Sequence, residues 1–444
     1  MNLPMKRSGY CTCFASMRDS HLIIGWKGYD NQPLFNIYTL AFDMDMSESS
    51  GYQDFMWAIK INRLSLELVG LWPKTDEIAK RRLGSDIRTG FAFIMTAIVS
   101  GIPYIHALIR VWGNMALMID NLRVTIPVIT ISLALVVMRW KQTVMLSIVQ
   151  TMAEDWTATK LSTERDVMIK QARIARFLII FGCIIVGMSV TTLIILPCFG
   201  VQIRYSTNYT DRNKLLPLQT YYIYDTDKDL LYVLTFLSQA IGILLSAIIF
   251  IAINAFLGFV ILHICGQLKN FKQQIINLVS CKDFNKALSS SIVTHLRLIR
   301  YADNIENTFT FILFLLVIQF SIMLCLCGFI FLTVISDEKL NSENFSQISY
   351  ILISVICLLS QTFFYCFGGD LITEQCNAVY RTICDLEWYK LEPRKARNLI
   401  LLMLVAKEPF RITAGKVLPL KMTTFCSLIK TTAGYISVLL AMRN

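Results

Sequence analysis

Near the C-terminus, Thr424, Ser427, Thr431, Gly434, Val438 and Met442 recur at spacings of three and four residues. On a helix turning about 100° per residue they fall within a sector of about 80°. The stripe is small and hydroxylated in its first half and apolar at its end. Phe425, Ile429, Ile436 and Leu440 occupy the opposite face. Two chemistries suit such a stripe. Small residues let helix backbones approach closely inside a membrane. The same surface can line a pore, where hydroxyls solvate ions and apolar rings gate by dewetting. The pattern alone leaves both open.

Other reactive constellations are missing from the sequence. It has no Walker A loop, no G-x-S-x-G, no H-E-x-x-H and no CxxC pair. Its four histidines, His21, His106, His263 and His295, have no metal spacing. Its thirteen cysteines lie mostly in apolar or basic stretches rather than in a disulfide framework, and read as small buried hydrophobes. No enzyme, cofactor or metal is therefore expected. An ion-coupled transporter is also disfavoured, because the five uncharged spans hold no intramembrane carboxylate and no matching half-repeats are present.

The elements that must position the stripe follow from composition. Of 444 residues, 55% are apolar and 16% charged, and the mean hydropathy is +0.54. Soluble chains carry about 25% charged residues. Stretches without Asp, Glu, Lys or Arg run through Thr89–Ile109, Phe177–Gln202, Leu230–Leu268, Asn307–Ser336 and Asn344–Gly369. Each is long enough to cross a bilayer, and in lipid such segments must be helical. Two further spans carry charges: Asn114–Met138, with Asp120 and Arg123, and Val417–Met442, with Lys421 and Lys430. Intramembrane charges face protein or water, or snorkel to the interface. Lys421, at the helix start, suits snorkelling better than Lys430, halfway along. Asp120 and Arg123, at i and i+3, are placed to pair. The fold class is an all-α polytopic membrane protein with seven transmembrane helices.

Net charge is +11, but the cations are distributed by topology. Most of the 42 lysines and arginines fall in 1–88, 139–176, 263–307 and 369–416. This positive-inside bias makes the N-terminus cytoplasmic and the C-terminus extracellular. Nucleic acid is not an expected partner; the lipid bilayer is. The N-x-[ST] sequons at Asn208 and Asn344 both fall in loops that the charge rule puts outside, and are candidate glycosylation sites.

Residues 1–50 read as an irregular cytoplasmic tail or a gene-model extension. The segment 51–88 holds an amphipathic cytoplasmic helix, Asp54–Trp72, and a linker. Helices 1–4 occupy 89–262, with an outer loop at 201–229. That loop carries Tyr205, Tyr209, Tyr221, Tyr222 and Tyr224, and suits either a folded-down lid or a glycosylated surface loop. A cytoplasmic helical connection (263–307), helices 5 and 6 (308–369), a cytoplasmic segment (370–416) and helix 7 (417–444) follow. Helices that project past the bilayer need an apolar partner, which favours neighbouring subunits.

Several segments together resemble the insect odorant receptor family. They are WAIKINRLSLELVGLWP (57–73), AEDW (153–156), HICGQL (263–268), HLRLIRYADNIE (295–306), CFGGDLITEQCNAVYRTICDLEWYKL (366–391), KEPFRITAGKVLPL (407–420) and FCSLIKTTAGYISVLL (425–440). The resemblance covers about residues 50–444. The entry segment (57–73) and the tail are similar to hymenopteran, ant-like, odour-tuned members rather than to the co-receptor.

The resemblance implies a ligand-binding subunit of a heteromeric, odorant-gated, non-selective cation channel. It would form a heterotetramer with the common co-receptor, in the plasma membrane of olfactory sensory neuron dendrites. It also implies that the cytoplasmic helix extensions form an inter-subunit anchor and that helix 7 lines the pore. Matching GYISVLLAMRN puts the apolar gate at Val438 and Met442, with Thr431 and Gly434 on the same lining. Ala441 stands where the co-receptor has a polar amide. The small volatile or apolar odorant would bind in the outer halves of helices two to six. Candidates there are Met118, Leu122, Met188, Thr192, Tyr232, Phe236, Gln239 and Tyr350. The competing readings are a gustatory-type channel of the same superfamily, expected to end in a different T-Y-x₅-Q-F-like pattern, and a seven-helix G-protein-coupled receptor, opposed by the charge bias.

Overall fold

The computed structural model describes residues 14–18, 21–25, 50–73, 79–158, 161–201, 215–218, 220–222, 224, 228–336 and 342–443; the strands before residue 50 and residues 79–82, 336, 342–344 and 439–443 are described as backbone alone. Residues 1–49 and 50–444 are separate units. In the first, where an irregular tail was expected, strands β1 (Phe14–Arg18) and β2 (His21–Gly25) pair antiparallel, with Phe14 opposite Gly25.

The second unit opens with α1 (Ser50–Leu68), which buries Phe55, Ile59 and Leu66. It ends four residues before Trp72, because Gly70 takes φ 74°. The amide of Leu71 then reaches the Leu66 carbonyl at 2.8 Å, and that of Gly70 reaches Glu67 at 3.2 Å. This pair of bonds is the Schellman closure that a left-handed glycine allows. A side chain at Gly70 would also strike the Ser85 carbonyl, 2.4 Å from the ideal Cβ.

The first span comprises α2 (Ala79–Phe93), a π-helical stretch (Ile94–Ser100) and α3 (Gly101–Arg110). Next come α4 (Met115–Trp140), α5 (Gln142–Thr157), α6 (Ser162–Cys198) and α7 (Asp229–Ile276). Then follow α8 (Phe284–Ser336), α9 (Ser342–Cys384) and α10 (Pro393–Ala406). The two-residue strands β3 (Thr413–Ala414) and β4 (Leu418–Pro419) precede α11 (Met422–Arg443). The charged spans are thus helices too. Asn114 caps α4, accepting from Leu117 N at 3.2 Å. Pro127 lies within α4, a position that transmembrane helices tolerate. Val417, expected to open the last helix, lies instead in the turn between β3 and β4.

Among the described residues six helical segments are long and apolar enough to cross a membrane; the seventh expected from sequence corresponds to α11, of 22 residues. α8, with 53 residues, extends about 80 Å at about 1.5 Å per residue. A bilayer with headgroups is about 45 Å thick, so α8 must project, as must α7 and α9. The projecting parts gather with α1, α5 and α10 at one end of the bundle.

The long helix α7 is the central element, packed by α6, α8, α9, α1 and the π stretch. Phe256 and Phe309 meet with ring centroids 6.1 Å apart. Gly242 admits the π stretch, since a Cβ there would lie 2.3 Å from Ser100 Oγ. At the α1 end, Arg297 of α8 pairs with Asp155 at 2.9 Å and Glu154 at 3.0 Å, and His263 Nε2 lies 3.0 Å from the other Asp155 oxygen. The AEDW stretch therefore ties α5 to both α7 and α8. At the opposite end a second core joins Ile119, Phe320, Phe329, Ile330 and Ile351, with Leu428 and Ile429 of α11 packed against it.

Candidate pore wall and ligand site

The placement of α11 is decided at its base. β3 and β4 are joined by a tight turn in which Gly415 and Lys416 both adopt positive φ, 66° and 60°, and Val417 N bonds Ala414 O at 3.3 Å. Two consecutive left-handed residues make this a type I′ turn, whose twist matches that of the strands. The turn docks on α8. Glu306 accepts from Thr413 N at 3.0 Å and from its hydroxyl. Thr310 takes the Gly415 amide on its carbonyl at 2.9 Å and the Lys416 amide on its hydroxyl at 3.1 Å. The chain then crosses α9 at Gly369, where a Cβ would lie 2.1 Å from the Leu420 carbonyl. Asp370 closes the base by accepting from Met422 N at 2.8 Å, a carboxylate at a helix N-terminus.

From that base α11 runs against α8 and α9 with one face only. Thr432 is buried, Phe425 meets Phe363 edge-on at 6.0 Å, and Ile436 fills the space above Gly328. Ser427, Thr431, Gly434 and Val438 are exposed, and Val438 is 57% exposed. Thr424 at the base is half-buried, its hydroxyl donating to Pro419 O at 2.8 Å. Lys430 is exposed at the edge of the same face and Lys421 half-buried just before the helix. The small, hydroxylated stripe therefore faces away from the rest of this chain. Thr431 and Ser437 donate within the helix, to Ser427 O at 2.9 Å and Ala433 O at 3.1 Å, which leaves their lone pairs toward the open side. The side chains of Ala441 and Met442 lie outside the described residues.

The eight candidate ligand residues fall into three groups. Tyr232, Phe236 and Gln239 lie on α7 beneath the loop. Gln239 is buried; its carbonyl accepts from Leu218 N at 3.0 Å, and its amide donates to Thr220 at 2.8 Å and Tyr222 at 3.1 Å. The Tyr232 hydroxyl donates to Leu215 O at 2.7 Å, and its ring lies 6.3 Å from Phe236. With Leu216, Leu218 and Thr220 buried, the described part of the loop is folded down onto α7. His106 and Arg110 of α3 clasp Tyr221, at 5.0 and 4.7 Å.

Met118 and Leu122 of α4 and Tyr350 of α9 make a second group: Tyr350 meets Arg123, Leu122 packs against the second core, and Met118 is half-buried. The Arg123 guanidinium lies 5.6 Å over the Tyr350 ring and 3.6 Å from Asp120, both charges being buried. The i,i+3 pair expected from sequence is present. Met188 and Thr192, on α6, make the third group: Met188 is 50% exposed, and the Thr192 hydroxyl donates to the Met188 carbonyl at 2.8 Å. Asn208, and the side chain of Asn344, lie outside the described residues.

A cavity of about 420 Å³ opens elsewhere, between α6, α7 and α9, from Lys269 to Phe250, and none of the eight candidates lines it. Spacing gave no sign of it, because its walls are glycines and ordinary apolar residues on three helices distant in sequence. Asp370 and Glu306, which seat α11, were likewise missed as single residues, although both fall inside segments that carry the resemblance. No His, Cys, Asp and Glu cluster fit for a metal occurs among the described residues, and the described cysteines are free.

A model of the family described as 7tm odorant receptor matches residues 114–433. Among relatives, odorant receptor 22c of Drosophila melanogaster is 27% identical over 192 residues, covering 40% of this chain and 46% of that one. Odorant receptor 13a of the same species is 24% identical over 259 residues, covering 54% and 60%. Odorant receptor 10 of Aedes albopictus is 27% identical over 178 residues, covering 40% and 45%. The chain thus spans about half the length of the curated relatives it matches. The insect olfactory receptor OR5 from Machilis hrabei superposes with a TM-score of 0.75 at 14% identity, over 88% of this chain and 99% of that one. Its complex with eugenol gives 0.74. At that identity the likeness speaks for the fold.

Proposed function

The chain belongs to the 7tm odorant receptor family, and on that premise we propose that it is the odour-binding subunit of an odorant-gated, non-selective cation channel assembled with a common co-receptor. The observation that carries this reading is the exposed stripe Ser427, Thr431, Gly434 and Val438 on α11. A small hydroxylated face turned away from its own subunit suits a shared aqueous axis, where each subunit contributes one wall. Val438 and Met442 then form successive apolar rings. Ala441 contributes no amide to the mouth, so the polar ring there comes from the co-receptor subunits.

In this reading α1 and the projecting helices are cytoplasmic, the Leu216–Tyr224 segment is outside, and the protein sits in the plasma membrane of sensory dendrites. Exposed apolar residues on the projections, among them Val293 of α8 and Leu401 and Leu404 of α10, are the anchor faces between subunits. The odorant site lies in the outer half, near Tyr232, Phe236, Gln239 and Tyr350. The neighbouring receptor's complex with eugenol supports a small, weakly polar ligand.

The test is recording from cells that express this chain with the co-receptor, against a panel of volatiles and cuticular hydrocarbons. Odour-evoked currents are expected, with Met442→Ser raising basal current and Val438→Ser altering block. Conductance, block and gating all unchanged in both variants would remove α11 from the pore. A cytoplasmic epitope tag at residue 444 would overturn the topology.

A further inference from the structure

The cavity between α6, α7 and α9 has the shape and charge of a site for one lipid chain. Its walls are apolar but for a few groups. Among the described lining residues Lys269 is the one charged side chain, with Gln171 near it at the α1 end. Toward the middle of the bundle, Gln361 Nε2 donates to Tyr365 OH at 2.6 Å and Tyr365 donates to Asn254. Asn254 in turn donates to Phe250 O at 2.8 Å. This chain of bonds joins α7 to α9 across the groove, whose lining continues about one turn further, to Phe250 and Cys357.

Between these ends absent side chains leave open space at Gly182 and Gly258, while Gly368 lets Ile261 pack closely, 3.2 Å from the ideal Cβ. Gly182, Gly258 and Gly368 place one glycine on each of the three walls. A Cβ at Gly182 or Gly258 would meet no atom within 4 Å. Glycine within a helix costs about 1 kcal/mol relative to alanine, so open space on two facing walls is maintained against local propensity. Two of its apolar lining residues, Ile174 of α6 and Phe367 of α9, are exposed, so the groove is reached from lipid.

Length selects the occupant. From Lys269 to Asn254 is about 22 Å along α7 at about 1.5 Å per residue. Half a bilayer with its headgroups is about 20–22 Å. A volume of about 420 Å³ suits one long acyl chain, not a whole two-chain lipid. We propose that the groove binds one acyl chain of an anionic phospholipid from the leaflet on the α1 side, its phosphate on Lys269 and its chain running along Gly258 and Gly182 to the Asn254–Tyr365 bond. Lipid there would brace α6 against α7 and α9. The proposal stands apart from odour gating, and its test measures no current.

The full chain is expressed in membranes with phospholipids carrying a photoreactive group on one acyl chain, with serine or choline headgroups, and adducts are mapped on peptides. The serine lipid is expected to label the peptides containing Gly182 and Gly258 roughly fivefold more than the choline lipid. Lys269→Glu removes that preference. Gly258→Phe, and independently Gly182→Phe, fill the groove and remove its labelling by both lipids. Labelling at exposed Ile102 and Ile109 reports annular lipid in the same sample and stays constant. Equal labelling by both headgroups, a preference that survives Lys269→Glu, or displacement of the serine lipid by eugenol would each overturn the proposal.

Discussion

Ile436 of α11 sits against Gly328 of α8, where an ideal Cβ would lie only 2.4 Å from Ile436 Cδ1. The missing side chain is a notch, and the last helix is keyed into it. The side of α11 opposite this key is the exposed hydroxyl stripe. Position at Gly328 therefore sets how far the stripe stands from its own bundle.

Filling the notch should move the pore wall. Gly328→Val is expected to displace α11 outward, at an overpacking cost of about 1–3 kcal/mol, and to change basal current in the assembled channel. Adding Ile436→Ala to Gly328→Val should restore the basal level. Recording from both variants at matched surface expression checks the pairing.

The base of α11 depends on Glu306, which holds both the amide and the hydroxyl of Thr413. Glu306→Ala leaves a part-buried amide without its carboxylate. The cost is expected at about 1–3 kcal/mol. Limited proteolysis should cut the 413–419 turn earlier in the variant, while cleavage elsewhere keeps its rate.

His295 stacks between Phe271 at 5.5 Å and Phe410 at 6.2 Å, and burial lowers its pKa below the ordinary imidazole value. The neutral ring is the folded form, so its stabilisation is whole above the unfolded pKa of about 6.5. It is lost as pH falls through the lower folded value. The melting temperature of the purified chain should therefore fall on acidification below about pH 6.5. His295→Phe should remove that part of the acid dependence.

Arg123 and Asp120 form a pair inside the bundle, at 3.6 Å. Arg123→Leu strands a buried carboxylate and is expected to destabilise by about 3–5 kcal/mol. Asp120→Asn with Arg123→Leu should cost less than Arg123→Leu alone, since no buried charge is left. Melting temperatures of the three proteins decide it.

The sequence by itself determined the class, the spans and the last helix's two faces. Backbone groups in lipid must bond within helices, so uncharged runs such as Phe177–Cys198 and Asn307–Ser336 had one available structure. The stripe from Thr424 to Met442 needed only the period of a helix, and the pair Asp120–Arg123 only its i,i+3 spacing. Local chemistry also ended α1, four residues short of Trp72, where Gly70 stops the helix through its left-handed φ. What the tertiary structure alone decided were relationships between distant segments. Which face of α11 turns outward depends on Gly328, over a hundred residues away. The burial of Gln239 depends on where the loop folds, and the groove exists only where three helices distant in sequence meet, with open space at Gly182 and Gly258. Periodicity reports one helix at a time, whereas a notch, a lid and a cavity are properties of surfaces meeting.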